Sequence, residues 1–476
     1  MRLKCGGESR QFHKAPLADM IEDVNNLGSY NHKALGMDTK SAQAQSPANP
    51  VYILRGHASP IHALHIYSQN LRLVSGDANG WIVVWDLVTK RPVTAWKAHE
   101  GAILEARGFN VGSGATEIYT HGRDHKLCVW KLRLEDESFL DKTLPVDATE
   151  SAQPQSKTQP WLLHSLPVNA LNFCAFSMAF VNSDGLPGFL SQSGKPENTL
   201  FAVPNALDSG GVDIFHLPSE RRISTIPSDQ STKTGMLMAV NLFVSPSGDI
   251  YVASAYEDGH VMAFVHRGAL KSASFDREYI SNNPLKWDKL YAGRPHSQPV
   301  LSLDVAPSHG YFISSSADAL VVKHPIPSTG SAGYVPTAGY KEESPLKIVN
   351  TKHSGQQGLR IRSDGKVFAT AGWDSRIRVY SGKTMKELAV LKWHKDGCYS
   401  VAFGDTEATC SSVSLSPESA KQEPRDAGQG AAGQTAVDGR DFSLATVQQQ
   451  RNQKVQQTHW LAAGSKDGKI SLWDIY

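Results

Sequence analysis

The stretch that decides the fold is "GSKDGKISLWDIY", residues 464–476. Apolar residues alternate in it at Ile470 and Leu472 before Trp473, and an Asp-Gly dipeptide precedes them, which is the pattern of a β-strand after a tight turn. The chain stops after this stretch, so the predicted strand has no following segment with which to pair. We expect its partner at the opposite end of the sequence, in "NPVYILRGH", residues 49–57.

Composition limits the classes of protein that this chain can be. There are 48 Lys and Arg residues against 46 Asp and Glu residues, so no strong electrostatic field for nucleic acid or membrane is expected. The five cysteines form no CxxC pair and no zinc spacing, which indicates reduced thiols inside a cell. No apolar run approaches the roughly 18 to 20 residues that cross a bilayer, and we therefore predict a soluble intracellular protein.

Internal repetition is the strongest signal in the sequence. One unit recurs seven times, and it consists of a histidine, a short strand, a turn with Gly or Asp, and a strand that ends in an aromatic residue. The first copy is "VYILRGHASPIHALHIYSQNLRLVSGDANGWIVVWDL", residues 51–87, and copies three to five are less regular. From copy one to copy seven, the final aromatic position is occupied by Trp85, Trp130, Phe215, Phe264, His324, Tyr380 and Trp473.

The repeats resemble the WD40 family over residues 51–476. The resemblance implies an all-β fold, a seven-bladed WD40 β-propeller in which each blade is a four-stranded antiparallel sheet. One unit cannot bury both faces of its small sheet, whereas a closed ring buries them between neighbours. In such propellers each repeat supplies its first strand to the outer edge of the preceding blade. The strand in 49–57 would therefore complete the last blade and close the ring, which also hides a sheet edge.

The second copy matches the family's hydrogen-bonded set of histidine, hydroxyl, aspartate and tryptophan. An aspartate accepts from one imidazole nitrogen, and a hydroxyl links the imidazole to the indole N–H. Because the set recurs between strands of several copies, its resemblance to a Ser–His–Asp catalytic triad is interpreted as structural. The matching residues of copy two are His99, Thr120, Asp124 and Trp130.

Two other copies depart from this set. Copy seven keeps His394, Asp467 and Trp473 but has Ala463 where the hydroxyl is expected. Copy one has Asn79 at the aspartate position, so its set is predicted to be incomplete.

No motif in the sequence indicates catalysis. The segment "SGKT", residues 381–384, lacks the preceding glycine that a phosphate-binding loop requires, and it falls at a turn between strands. HExxH, GxSxG and kinase signatures are absent from the sequence. We predict no catalytic residue, no cofactor and no metal site, and interpret the chain as a binding platform.

Two segments fall outside the predicted propeller core. Residues 1–48 are polar and are expected to form a disordered tail before a propeller at 49–476, unless translation starts at Met37. Residues 404–458 read as a flexible insertion whose removal should leave folding nearly intact. The alternative for this insertion is a regulated docking segment, phosphorylated at Ser416.

The loops divide the predicted propeller into two faces. Connections near 133–160, 182–198, 267–286 and 329–345, together with the insertion, are expected on one face, which we call the long-loop face. The opposite, short-loop face is then the more rigid one and the better candidate for specific partner binding. Its predicted contact residues, which could instead serve inter-blade packing or lie in solvated loops, are Trp81, Arg123, His125, Trp373, Arg376 and Lys395.

A narrower resemblance rests on two blocks that generic WD repeats do not require. They are "HSGQQGLRIRSDGKVFATAGWD", residues 353–374, and "TMKELAVLKWHKDGCY", residues 384–399. Both are similar to the fungal ASTRA-associated WD-repeat family. This resemblance implies a non-catalytic subunit of the nuclear ASTRA assembly, linked to chromatin remodelling and to maturation of phosphatidylinositol-kinase-like kinases. The implied partners are the kinase-like Tra subunit, the Tel and Tti co-chaperone proteins and the RuvB-like ATPases, without direct nucleic-acid or membrane binding.

Three other kinds of WD protein fit the sequence less well. A substrate receptor of a ubiquitin ligase would need an adaptor-binding segment, and none is recognised in the sequence. A ribosome-assembly factor usually has a basic face or tail, which the net charge of +2 does not favour. A signalling G-protein β subunit would need an N-terminal coiled coil, but residues 1–48 show no heptad pattern.

Overall fold

The computed structural model of the chain describes most of residues 48–475. The predicted tail (apart from Ala48), Met37 and Ser416 lie outside the described residues. Within the range, the positions that are not described are 113, 149–157, 170–172, 189–193, 195, 277, 279–283, 328–343 and 407–443.

The described residues form seven four-stranded antiparallel sheets, which are the blades. The first strand in the chain, β1 (Tyr52–Arg55), belongs to the last blade. Blades 1 to 3 follow in chain order, and each is given from its inner to its outer strand. They consist of β2 (Ile61–Tyr67), β3 (Arg72–Asp77), β4 (Trp81–Asp86) and β5 (Arg91–Lys97); β6 (Ile103–Asn110), β7 (Ala115–Gly122), β8 (Lys126–Arg133) and β9 (Trp161–Pro167); and β10 (Ser177–Val181), β11 (Asn198–Pro204), β12 (Val212–Leu217) and β13 (Arg221–Ile226).

Blades 4 to 6 have the same internal order, and blade 7 takes its outer strand from β1. Their strands are β14 (Leu237–Val244), β15 (Ile250–Tyr256), β16 (Val261–His266) and β17 (Asp288–Gly293); β18 (Val300–Val305), β19 (Tyr311–Ser316), β20 (Leu320–Pro325) and β21 (Lys347–Asn350); β22 (Gln356–Ile361), β23 (Val367–Gly372), β24 (Arg376–Ser381) and β25 (Glu387–Lys392); and β26 (Cys398–Phe403), β27 (Trp460–Ser465) and β28 (Lys469–Asp474).

The hydrophobic core lies between neighbouring blades and not at the centre of the ring. Trp96 of blade 1 packs edge-on against Trp130 of blade 2 within one apolar cluster, and Tyr119 of blade 2 meets Phe201 of blade 3 in the next. The middle strands are therefore covered on both faces, and every residue of β15 is buried. This explains why β15, IYVASAY, has aliphatic or aromatic residues at six of its seven positions and does not alternate with polar residues.

Pairing of β1 with β28 closes the ring, as the sequence predicted. The two strands are antiparallel, with Tyr52 opposite Leu472 and Leu54 opposite Ile470. Leu54 is buried in an apolar cluster shared by blade 7 and blade 1. The seven-bladed propeller closed by its N-terminal strand is thereby confirmed.

The connection between β8 and β9 covers the outer edge of blade 1. We call its residues 134–148, which include the 3₁₀ helices Leu134–Ser138 and Pro145–Asp147, the strap. Asp141 accepts a hydrogen bond from the backbone N–H of Ala95 in β5, at 2.9 Å. Further along, the side chain of Leu144 packs so closely on Gly56 that a Cβ there would lie 2.7 Å from it. The strap therefore holds both blade 1 and the loop that follows β1.

A helix, α1 (Leu444–Gln457), occupies the end of the insertion that was expected to be a loop throughout. Its residues have good helix propensity, but it lacks an apolar stripe, which is why periodicity did not reveal it. Val455 is its buried residue and joins the cluster at the junction of blades 7 and 1. The side chain of Asn70 donates to the carbonyl of Gln456 at 3.0 Å and to that of Asp405 at 2.9 Å. Within the described part of the chain, no helix is long and apolar enough to cross a membrane.

The long connections all emerge at one end of the blades. Those near 133–160, 267–286 and 329–345 join third to fourth strands, and 182–198 and 404–458 join first to second strands. In a four-stranded meander these two kinds of connection lie at the same end, which is the long-loop face. The short-loop face carries the turns between second and third strands and the turns from one blade to the next.

We expect ring closure to control stability. Deleting Val51–Leu54 should lower the melting temperature strongly, because β28 would lose its outer partner strand and the apolar cluster would lose the buried side chain of Leu54. The milder Leu54→Ala variant should lose about 2 to 4 kcal/mol of unfolding free energy, as buried leucines do. Leu388→Ala, at an exposed leucine of the outer strand β25, is the control and should change it by less than about 0.5 kcal/mol. An unchanged urea-unfolding midpoint in the deletion variant would contradict the closure argument.

The insertion should divide into a dispensable part and a structural part. Replacing 407–443 with a short Gly-Ser linker should barely change thermal unfolding, because closure entropy depends weakly on loop length. Removing 407–457 should lower the melting temperature, since Val455 and one hydrogen-bond acceptor of Asn70 would be lost with α1. Equal melting curves for the two deletions would show that α1 does not contribute to packing.

Candidate protein-interaction face

The predicted hydrogen-bonded residues of blade 2 lie together beneath the short-loop face. His99 Nδ1 is 2.8 Å from Asp124 Oδ1, and His99 Nε2 is 2.7 Å from Thr120 Oγ1, which accepts from the indole N–H of Trp130 at 3.0 Å. With a proton on Nδ1, the ring donates to the carboxylate and accepts from the hydroxyl, so each group is satisfied. The set ties the loop entering the blade to two strands and to the turn between them. Thr120 has no exposed surface, so no substrate can reach its hydroxyl.

Blade 1 has a complete set, and the prediction from Asn79 was wrong. His57 bonds Asp77 at 2.8 Å and Ser75 at 2.7 Å, and Trp85 donates to Ser75 at 2.9 Å. Asp77 is the last residue of β3, and its other oxygen accepts from the backbone N–H of Asn79 at 2.9 Å. The carboxylate therefore comes from the end of β3. It caps the following turn, in which the comparison of the repeats predicts the aspartate at position 79.

Blade 7 obtains its hydroxyl from a different strand. Ala463 has no hydroxyl to offer at the usual position, but Ser471 lies directly opposite it on β28. Its Oγ is 2.8 Å from His394 Nε2 and accepts from the indole of Trp473, also at 2.8 Å. Burial lowers the pKa of His394 to about 4, so the imidazole is neutral at pH 7. The Asp467 carboxylate turns instead to the ammonium group of Lys469, at 2.6 Å.

Blade 5, one of the less regular copies, also keeps a buried polar chain. His296 bonds Ser314 at 2.8 Å and lies 3.2 Å from the carboxylate of Asp318. Ser314 then bonds His324, the residue at the tryptophan position, at 2.8 Å, and His324 reaches the hydroxyl of Tyr291 at 3.0 Å. Imidazole can therefore replace indole because both present a ring nitrogen to the hydroxyl.

Blade 6 uses an amide and a guanidinium in place of the imidazole. Thr370 donates to the side-chain oxygen of Gln356 at 2.7 Å. The buried Arg378 makes two hydrogen bonds to Asp374, at 3.1 and 2.6 Å. The nearby histidine, His353, lies at the surface, 3.5 Å from the same carboxylate. Short-loop turns in five blades are thus held by buried polar contacts, which makes their backbone rigid.

The six predicted contact residues fall into two groups on the short-loop face. Trp81, Arg123 and His125 belong to blades 1 and 2, at or next to turns between second and third strands. Trp373 and Arg376 occupy the corresponding turn region of blade 6, and Lys395 lies in the turn from blade 6 to blade 7.

An aromatic residue is held in place at the surface in or beside each group. The guanidinium of Arg123 lies 4.4 Å above the ring of Phe173, a half-exposed residue that the sequence analysis missed. The exposed Trp373 donates to the side chain of Gln357 at 2.7 Å. Its ring rests on Gly355, which has a φ of +70° and where a Cβ would lie 2.1 Å from the indole. Glycine is required there by both backbone conformation and space.

A cavity of about 370 Å³ opens between the two groups, at the short-loop mouth of the central channel. His62 and Tyr399 stack across its wall with ring centroids 5.5 Å apart. Arg123, Phe173 and Gln357 line the same cavity, so the candidate face continues into the channel.

An ion pair crosses the middle of the channel. Arg360 of blade 6 reaches Glu105 of blade 2 at 2.6 Å, and Arg107 lies 3.6 Å from the same carboxylate.

Asp304 lines the channel on the long-loop side of this pair. Its carboxylate accepts a hydrogen bond from the side chain of Asn241 at 3.2 Å, and burial raises the pKa of this carboxyl. Beyond the pair, a second cavity of about 800 Å³ opens to the long-loop face.

Three charged groups of the channel, Glu105, Arg107 and Arg360, lie against one another, whereas Asp304 is held by Asn241 and by backbone N–H groups. Both arginines line both cavities, so the pair marks the boundary between them. Among the described residues, no group of three or more His, Cys, Asp or Glu side chains could hold a metal ion.

Comparison with known proteins identifies close relatives. The family model described as ASTRA-associated protein 1 matches residues 50–473. A protein of Penicillium rubens with that name is 92% identical over 440 residues, which cover 92% of this chain and 100% of the relative. The Aspergillus flavus protein of the same name is 60% identical, with 91% of this chain and 99% of the relative covered. The protein of Schizosaccharomyces pombe, also so named, is 32% identical and covers 74% and 93% respectively.

The relocated hydroxyl of blade 7 can be tested by moving it back. Ser471→Ala should lower the unfolding free energy by about 2 to 3 kcal/mol, because two buried hydrogen bonds are lost. His394 Nε2 and the indole nitrogen of Trp473 would each lose a partner. Adding Ala463→Ser returns the hydroxyl to the usual position on the facing strand at constant side-chain volume, and should recover part of the loss. Chemical unfolding of the three proteins measures this, and wild-type stability of Ser471→Ala would disprove the role of the hydroxyl.

Proposed function

The chain belongs to the ASTRA-associated protein 1 family, and from this premise we propose that it is a non-catalytic scaffold subunit of the ASTRA complex. Family membership supports the association with that complex. The observation that supports a scaffold role is the short-loop face, where anchored aromatic and arginine side chains stand on turns braced by buried hydrogen bonds. Preorganised aromatic and arginine residues are the usual anchors of protein interfaces.

The proposed partners are the kinase-like Tra subunit, the Tel and Tti co-chaperone proteins and the RuvB-like ATPases. Through them the chain would take part in chromatin remodelling and in assembly of phosphatidylinositol-kinase-like kinases, in the nucleus. These assignments rest on the family resemblance. The nearly balanced charge of the chain agrees with protein partners and not with direct nucleic-acid binding.

Enzymatic activity is not part of the proposal. The residues that imitate a catalytic triad are bound to one another beneath the surface, and Thr120 and Ser75 have no exposed surface. Their conserved geometry in several blades fits the bracing of turns. The binding surface is therefore expected to act by holding partners together.

A tagged pull-down from nuclear extract tests the proposal. The face variant combines Arg123→Glu with Arg376→Glu, one change in each group. The matched control is Arg267→Glu, an exposed arginine next to β16 on the long-loop face. Quantitative mass spectrometry should recover the kinase-like subunit and co-chaperones with the wild type and the control, and about tenfold less with the face variant.

Unfolding midpoints of all three proteins should agree, since the changed residues are at the surface. Recovery of a cullin adaptor or of pre-ribosomal particles in place of the ASTRA subunits would contradict the proposed function. Equal recovery by the face variant and the control would reject the short-loop face as the binding surface.

A further inference from the structure

The outer strand of blade 2 presents an unusual apolar edge. β9 reads "WLLHSLP", and its first three residues are exposed to solvent by 75% at Trp161, 44% at Leu162 and 36% at Leu163. β9 is the last strand of its sheet, so its outer edge pairs with no other strand among the described residues. An apolar edge with free backbone groups is a template for another strand.

Five of the six other outer strands are protected in ways that β9 is not, and the sixth, β1, begins with the exposed Tyr52 but ends at Arg55. The strap covers the edge of β5, where the carbonyl of Asp141 accepts hydrogen bonds from the backbone of Ala95 and the hydroxyl of Thr94. Four other outer strands, β13, β17, β21 and β25, begin with a charged residue, which blunts an edge. The fold therefore covers the edge of blade 1 with its own chain and leaves the adjacent edge open.

The apolar surface continues from β9 onto the strap. The hydroxyl of Thr158 donates to the carbonyl of Phe139, and the backbone N–H of Asp141 donates to the carbonyl of Thr158 at 3.0 Å. These contacts bring the strap next to the residues that lead into Trp161. Phe139 is 77% exposed and Leu134 is 64% exposed, so both add to the apolar surface beside the open edge.

The same surface is acidic. The strap has a single basic residue, Lys142. Against it stand Glu135, Asp136, Glu137, Asp141 and Asp147. Glu135 pairs with Arg133 at 3.2 Å and Glu137 pairs with Arg72 at 3.3 Å. With both arginines counted, five acidic groups still stand against three basic ones. A second copy of the chain would bring the same acidic strap to the edge, and like charges would repel each other. A basic segment would be attracted.

We propose that β9 and the exposed flank of the strap form a docking site for an extended, basic and apolar segment of a partner protein. The segment adds to blade 2 as a fifth strand, through main-chain hydrogen bonds to the free edge of β9. Its apolar side chains cover Trp161, Leu162 and Leu163, and its lysine or arginine side chains face the acidic strap. The site lies on the outer wall of the ring, apart from the short-loop face.

Binding of synthetic peptides to the full chain tests this site. The probe is a fluorescein-labelled peptide that alternates lysine with valine or isoleucine, and an otherwise equal peptide with glutamate in place of lysine is its control. Fluorescence anisotropy should show binding of the basic peptide and not of the acidic one. Hydrogen exchange should show new protection at the amides of β9.

Variants test separately the apolar residues of β9 and the acidic residues of the strap. Trp161→Ser with Leu163→Ser should weaken binding of the basic peptide about tenfold, and Glu135→Lys with Asp136→Lys should weaken it by a similar factor. Leu388→Ser, at an exposed leucine of the outer strand β25, is the matched control and should bind like the wild type. Removing exposed apolar groups should leave the unfolding midpoint unchanged.

Several outcomes would overturn the inference. They are the absence of peptide binding, equal binding of basic and acidic peptides, equal loss in the Leu388→Ser control, or protection outside β9. A dimer in sedimentation that the serine variants abolish would assign the edge to a second copy of the chain instead. The pull-down through the short-loop face is independent, because the serine variants should still recover the same ASTRA subunits.

Discussion

Pairing between β1 and β28 is the interaction on which the rest of the structure depends, because it joins the two ends of the ring. Two other segments, far apart in sequence, pack at the same junction. Leu144 of the strap and Val455 of α1 both contact the apolar cluster that contains Leu54. The strap and α1 thus reinforce the junction that β1 and β28 close by strand pairing and apolar packing. An open ring would expose blade faces that are buried between neighbours.

The repeat pattern was sufficient to predict the ring and the polar residues of blade 2, because both depend on spacing along the chain. It failed where a contact depends on which residues face each other on adjacent strands. Ser471 replaces the hydroxyl missing at Ala463 because the two residues face each other on β28 and β27, a relation that no sequence offset reveals. Asp77 was not predicted because it lies two residues before the expected position, at the end of β3, from which its carboxylate still reaches the turn that follows. α1 and the strap were missed because propensity does not tell which surface a polar helix or a loop will cover.

The two groups of surface anchors are related through the interior of the ring. One group belongs to blades 1 and 2, and the other to blade 6 and its turn into blade 7. The ion pair between Arg360 and Glu105 connects blade 6 directly with blade 2 across the channel. With the turns braced from below and the blades joined across the centre, the anchors keep a fixed separation. A fixed separation reduces the entropy lost on binding, which favours a platform that holds large partners.

The outer wall follows a different physical rule from the short-loop face. On the proposed face, binding would depend on side chains held by buried polar contacts, whereas on the wall it would depend on backbone groups that no described strand pairs. Blade 1 shows that this chain can cover such an edge, since Asp141 bonds to Ala95 there. In the proposal, the acidic strap beside the open edge of β9 repels further copies of the chain and attracts basic segments. Under this proposal, the charge of the strap opposes self-association at an edge whose apolar residues would otherwise promote it.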